Sequence, residues 1–192
     1  MVDAPQIMPE PLQFDTLTAQ SSWQSGKEGL EVKFSNVSAT NTDLAGNLFG
    51  SYRTLPDSPG LIDLTINLTR AAVHHADRYI PLAALSQETH AWIRDALLDG
   101  QASEFRLRLH GDLNDFPFPE SKKGIFSIRM RAKGVAMEYA REWPRLENIA
   151  AELLVQGKRL EVIAPSAMTV GAQLQKVSVV VPDTGSPDLL LQ

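Results

Sequence analysis

The chain carries 192 residues, 18 Lys+Arg against 23 Asp+Glu for a net charge of -5, and no cysteine. The missing thiols exclude disulfides, thiolate metal sites and cysteine nucleophiles, and the acidic balance argues against nucleic acid or an anionic surface as partner. Hydrophobic residues make up 43%, ordinary for a folded domain, and no apolar run approaches the roughly 20 residues that span a bilayer.

Residues 1–11 hold three prolines and no periodic pattern, which predicts a flexible lead-in. A first strand set is expected over 12–70. It starts with a short strand at 12–17. Leu30-Glu31-Val32-Lys33-Phe34 alternates cleanly. Residues 44–52 read as a weaker strand interrupted by Gly46 and Gly50, where glycine marks a bulge, a bend or a close backbone approach. Over 61–68, Ile62, Leu64, Ile66 and Leu68 fall on one face and Asp63, Thr65 and Asn67 on the other.

A helical insert is expected over 71–100. Residues 71–79 predict a short helix that ends before Pro81. Ser86 is placed to cap a longer helix, with Glu88 in the first turn, where the helix dipole favours an anion. Trp92, Ile93, Ala96 and Leu97 make an apolar stripe at helical spacing. Gly100 is placed as the C-terminal stop.

A second strand set is expected over 101–182, with strands at 103–111, 124–133, 134–140, 149–156, 159–164, 167–171 and 173–181. Leu107 and Leu109 alternate with Arg106 and Arg108, and Ile128 and Met130 with Arg129 and Arg131. Gly134 shifts the phase, which predicts a bulge. Gly157-Lys158 predicts a two-residue hairpin turn. The loop Asp115-Phe116-Pro117-Phe118-Pro119 is apolar for a loop and predicts packing. An apolar run restarts within 183–192, so that stretch reads as the start of a next strand and the chain as a fragment of a longer one. These elements predict a mainly β fold: a curved antiparallel β-sheet forming an open trough or groove, with one amphipathic helix packed at its concave face. A meander of hairpins fits better than a closed sandwich.

Several constellations bear on chemistry. His74, His75 and Asp77 could suggest a metal site, but adjacent histidines face different ways and no third ligand is placed by spacing, so surface histidines are expected. Asp112, Asp115 and Glu120 could mimic a hydrolytic carboxylate pair, yet acids at turns are ordinary turn chemistry. No Gly-x-Ser-x-Gly, Gly-x-Gly-x-x-Gly or phosphate-binding loop occurs. The expectation is therefore no enzyme, no catalytic residue, no metal and no cofactor. Arg106, Arg108, Arg129, Arg131 and Lys133 read as a solvated face with acidic cross-strand partners, against the sharper alternative of an anion or headgroup site. Trp143-Pro144 is expected to anchor a turn.

A specific resemblance emerges from an ordered set of motifs. Gly111-Asp112-Leu113-Asn114-Asp115-Phe116-Pro117-Phe118 is followed by Gly124-Ile125-Phe126. Met137-Glu138-Tyr139 is followed by Trp143-Pro144-Arg145-Leu146-Glu147-Asn148-Ile149. Tyr79-Ile80-Pro81 and the 92–100 stretch precede them, and a strand, Gly157 and a strand follow over 153–160. Over roughly residues 30–182 this set resembles the YhdP family of AsmA-like bacterial envelope proteins, which are bridge-like lipid transport proteins. The resemblance implies a periplasmic segment of an inner-membrane-anchored protein of a Gram-negative bacterium, anchored only through regions outside this chain. It implies a continuous curved sheet with an apolar lining, a role in moving phospholipid between inner and outer membrane, and support of the outer-membrane barrier. The implied partners are phospholipid acyl chains and other envelope proteins, not nucleic acid.

The residues expected to line such a groove are Leu64, Ile66, Leu107, Leu109, Ile128, Met130, Leu153 and Val155, with Trp92, Ile93, Ala96 and Leu97 packing the helix onto it. The competing expectation is that the same residues form an ordinary core closed by the helix. At the level of function, the alternative is a non-transporting structural or interaction scaffold of the envelope, docking partners through sheet edges.

Overall fold

The alternation that runs through the sequence is realised as strands, and each strand finds its partner in the next one along the chain. The computed structural model describes residues 1–26, 29–120, 122–185 and 190–191. Ten strands form one antiparallel sheet: β1 (Thr16–Gly26), β2 (Gly29–Thr40), β3 (Leu44–Leu55), β4 (Ser58–Ala72), β5 (Leu97–Asp112), β6 (Gly124–Met137), β7 (Leu146–Gln156), β8 (Arg159–Thr169), β9 (Ala172–Val181) and β10 (Leu190–Leu191). Their spatial order is their chain order, and the sheet is open. The protein is therefore mainly β, a curved antiparallel meander and not a sandwich. Of the stretch read as a next strand, Leu190 and Leu191 pair with Val180 and Val179, while 186–189 and 192 lie outside the described residues.

Bulges give the sheet its bend. The register slips between Phe34 and Val37, between Ser103 and Arg106, and between Ala132 and Val135. An extra residue on one strand bends it and increases the local twist. Gly134 (φ 63) sits in the last of these, as the phase shift predicts, but it bends one strand where two were expected. The 159–164 and 167–171 stretches likewise belong to the single strand β8. The turn at Gly157-Lys158 closes a hairpin in which Gln156 faces Arg159. In β3, Gly50 has φ 149, and a Cβ there would run into the Asp63 carbonyl of β4, so the close backbone approach expected at this glycine is present.

Between β4 and β5 lie a 3₁₀ segment (Val73–Tyr79), a 3₁₀ turn (Leu82–Ala84) and helix α1 (Gln87–Ala96). Ser86 caps α1 by accepting from the Thr89 N–H. The helix stops at Ala96, and Gly100 is not its terminator: it lies inside β5 with φ 127, against Val135. The short strand expected at 12–17 is displaced, since β1 begins at Thr16 and every one of its residues is exposed. The proline-rich start is also tied down. Val2 bridges Leu12, the Leu82 N–H donates to the Ile7 carbonyl, and Arg78 pairs with Glu10 at 2.8 Å.

A small-residue core occupies one end of the strands. Ala102, Ala132, Ala164 and Ala167 are at most 8% exposed and cluster with Val73, Val135 and Ile149. Among the described residues no large side chain is fully buried.

Candidate functional site

Side chains of paired strand residues share a face, so the register reads out both faces of the sheet. One row crosses nine strands: Ala19, Val37, Leu48, Ile66, Leu107, Ile128, Val155, Leu160 and Val181. Every member is apolar. The row one residue over, on the opposite face, reads Thr18, Ser38, Asn47, Asn67, Arg106, Arg129, Leu154, Glu161 and Val180. A one-residue step thus separates a continuous apolar stripe from a mostly polar one.

All eight groove candidates lie on the apolar face. Ile66, Leu107, Ile128 and Val155 belong to the row above. Leu64 pairs with Leu109, and Met130 with Leu153. Seven of the eight are half-buried and Val155 is 9% exposed. Side chains in a closed core of this size would be nearly all inaccessible. Here they pair with one another across the strands and remain partly reachable from solvent.

The two ends of this face are finished differently. At one end Gly111 pairs with Gly124, and the absent side chains leave a gap that the Phe118 ring fills. A Cβ at Gly111 would sit 2.7 Å from that ring, and Phe118 is 3% exposed. Phe116 packs tilted against Phe126 at 5.0 Å and meets Phe118 edge-on at 6.2 Å. The apolar loop therefore packs as expected, and its motif has a steric meaning: two glycines make room for one phenylalanine. At the other end lie the alanines and the helical insert.

Helix α1 is not a plug over the row. It packs on the preceding 3₁₀ segment and the start of β5. Ala96 is 2% exposed, Ile93 is half-buried, and Leu97, already in β5, joins the alanine cluster. Trp92 departs from the expected stripe. It is 41% exposed, donates its indole N–H to the Tyr139 carbonyl at 3.0 Å, and meets the Tyr139 ring edge-on. Trp143 leans on Tyr139 from the turn that it was expected to anchor.

His75 is not a free surface group. His75 Nδ1 lies 2.8 Å from Asp43 Oδ1, and the Tyr79 hydroxyl donates to Asp43 Oδ2 at 2.9 Å. Asn41 donates to Gln13 O and accepts from the Asp43 and Leu44 N–H groups, while Arg70 donates to the Asn41 and Thr42 carbonyls. This network fastens the β2–β3 turn to the helical insert. Asp43 is 8% exposed. Burial pushes its carboxyl up, but the bonds from His75 and Tyr79 outweigh burial and hold it below its usual range. Sequence reading missed Asp43 because its partners lie 32 and 36 positions away. Among the described residues no group of three potential metal ligands converges. Asp112 accepts from Ser58 and from the Asn114 N–H, and Asp115 pairs with Lys123 at 3.0 Å.

On the polar face the arginines divide. Arg131 is held by Glu104 and Glu152, and Arg108 by Asp63. The hydrogen bond from Arg108 draws the Asp63 carboxyl below its usual range despite some burial. Arg106 and Arg129 have no acidic partner among the described residues.

The chain is thus one open antiparallel β-sheet with an apolar face and a mostly polar face. The family model described as YhdP protein matches residues 1–192, and the chain belongs to that family, the AsmA-like envelope proteins that its motifs resemble. No curated protein and no solved structure matches it. Among the described residues no helix is long and apolar enough to cross a membrane.

Proposed function

We propose that this chain is a section of a periplasmic conduit that carries phospholipid between the inner and outer membranes and so sustains the outer-membrane barrier. The observation that supports this reading is the uninterrupted apolar row from Ala19 to Val181. Each acyl CH₂ withdrawn from water is worth about 0.8 kcal/mol, so two acyl chains crossing an aqueous space need an apolar surface along their whole path. A row of Leu, Ile and Val without an inward charge offers many near-equivalent weak contacts and no deep minimum, which suits sliding over capture. An open side leaves the headgroup in water. In this reading no residue acts as a catalyst, and the anchor to the membrane is supplied from outside this chain.

The test is site-specific photocrosslinking in intact cells. Photoreactive residues replace Leu107, Ile128 and Leu153 on the apolar face, with Thr65, Glu152 and Ser178 on the other face as controls. Phospholipid adducts at the first three and not at the controls are expected. Adducts at none of the six, or equally at all, would overturn the conduit and favour an envelope scaffold with a dry core.

A further inference from the structure

The arginines on the polar face form a site that the groove does not use. Arg106 and Arg129 are directly opposed across β5 and β6, an arrangement of like charges that destabilises a sheet when nothing neutralises it. The acids around them are already taken. Asp63 is held by Arg108, Glu104 and Glu152 by Arg131, and Glu161 by Arg159 at 3.3 Å. Arg106 has only a neutral partner, Asn67 Oδ1, at 3.1 Å. The two arginines line a shallow depression together with Arg108, Ser127, Leu154 and Gln156. It therefore combines two uncompensated guanidinium groups with a hydroxyl and an amide that can also donate.

We propose that this depression binds a dianionic phosphate group on the face opposite the groove. Two uncompensated positive charges match the charge of a phosphate monoester above its second pKa of about 6, and guanidinium forks suit its oxygens. Binding would convert a repulsive cross-strand pair into a bridged one. The phosphate is either free or carried on a lipid headgroup, and the site reads the phosphate in both cases.

The test uses the purified protein at pH 8 in three forms: wild type, Arg106→Gln with Arg129→Gln, and Lys133→Gln as a control for nonspecific attraction, since Lys133 is exposed outside the depression and its loss frees no acid beside it. Calorimetric titration with inorganic phosphate and flotation with phosphatidylcholine vesicles, with and without phosphatidic acid, supply the two arms. Wild type and Lys133→Gln are expected to bind, and the double variant to lose on the order of tenfold or more in affinity. Phosphatidic-acid-dependent flotation lost in the double variant assigns the headgroup as source, whereas phosphate binding without it assigns the soluble ion. Without phosphate, Arg129→Gln alone should hold or raise the melting temperature, because it relieves repulsion. An arginine with a purely structural role would lower it. Absence of binding in both arms by wild type, or an equal loss in Lys133→Gln, overturns the proposal.

Discussion

The apolar face is built in two ways along one set of strands. Toward the helical insert it is made of alanines, Ala102, Ala132, Ala164 and Ala167, all nearly inaccessible. In mid-strand it is made mostly of Leu, Ile and Met that stay half-exposed, with Val155 buried among them. The alanines cluster with Val73, Val135 and Ile149 and are covered by them. The larger side chains in mid-strand are covered less completely. The same face is thus tightly buried at one end and half-exposed along its length, so the closed-core and lipid-path readings make different demands on the two zones.

The sharpest way to break this comparison is to place the same charge in both zones. Ala102→Asp puts an unpaired carboxylate where the site is 4% exposed, and desolvation should cost several kcal/mol. Circular dichroism should report loss of the fold. Leu107→Asp sits in the half-exposed row, can reach water, and should leave the fold intact while abolishing lipid adducts at neighbouring positions. Equal unfolding by the two would show that the row is a core throughout.

The phenylalanine end comes next in size. Phe118→Ala should cost about 3–5 kcal/mol in chemical denaturation, as for other buried phenylalanines, since Gly111 and Gly124 offer nothing to refill the gap. A loss under about 1 kcal/mol would mean that the loop merely rests on the sheet.

Acid should expose the Asp43 network. The folded carboxyl lies below its ordinary 3.8, so its contribution is complete above the unfolded value and is lost as pH falls through the lower folded one. Asp43→Asn should therefore destabilise the protein at neutral pH and flatten the acid limb of a melting-temperature profile. An unchanged acid limb would remove the network from the account.

Much of this architecture is legible because alternation maps directly onto a one-sided sheet. The eight groove candidates come from parity alone, and parity survives wherever strands run without a slip. The misreadings have physical causes. Strand β1, TLTAQSSWQSG, is exposed on every residue, so no buried face imposes a pattern on it. The helix end is misplaced because Leu97 continues the stripe while its backbone turns extended (φ -90, ψ 105). Gly100 has the chemistry of a helix stop but serves the close approach of Val135. The arginine pair cannot be seen without register, since alternation assigns Arg106 and Arg129 to a face but not to each other.

Trp92 sharpens the comparison at its boundary, with the smallest expected effect. Trp92→Phe keeps a ring beside Tyr139 and deletes the indole N–H that donates to its carbonyl. One such bond is worth about 1 kcal/mol net, and its exposed setting keeps the loss near or below that. If α1 is a bracket that ties the 3₁₀ segment, β5 and the chain after β6 together, this variant should lower the melting temperature slightly and leave adducts at Leu107 and Ile128 unchanged. If the helix instead governed entry to the row, loosening Trp92 would change adduct yield at those positions with little change in stability. The two outcomes separate a part that holds the groove's end in shape from a part that opens and closes it.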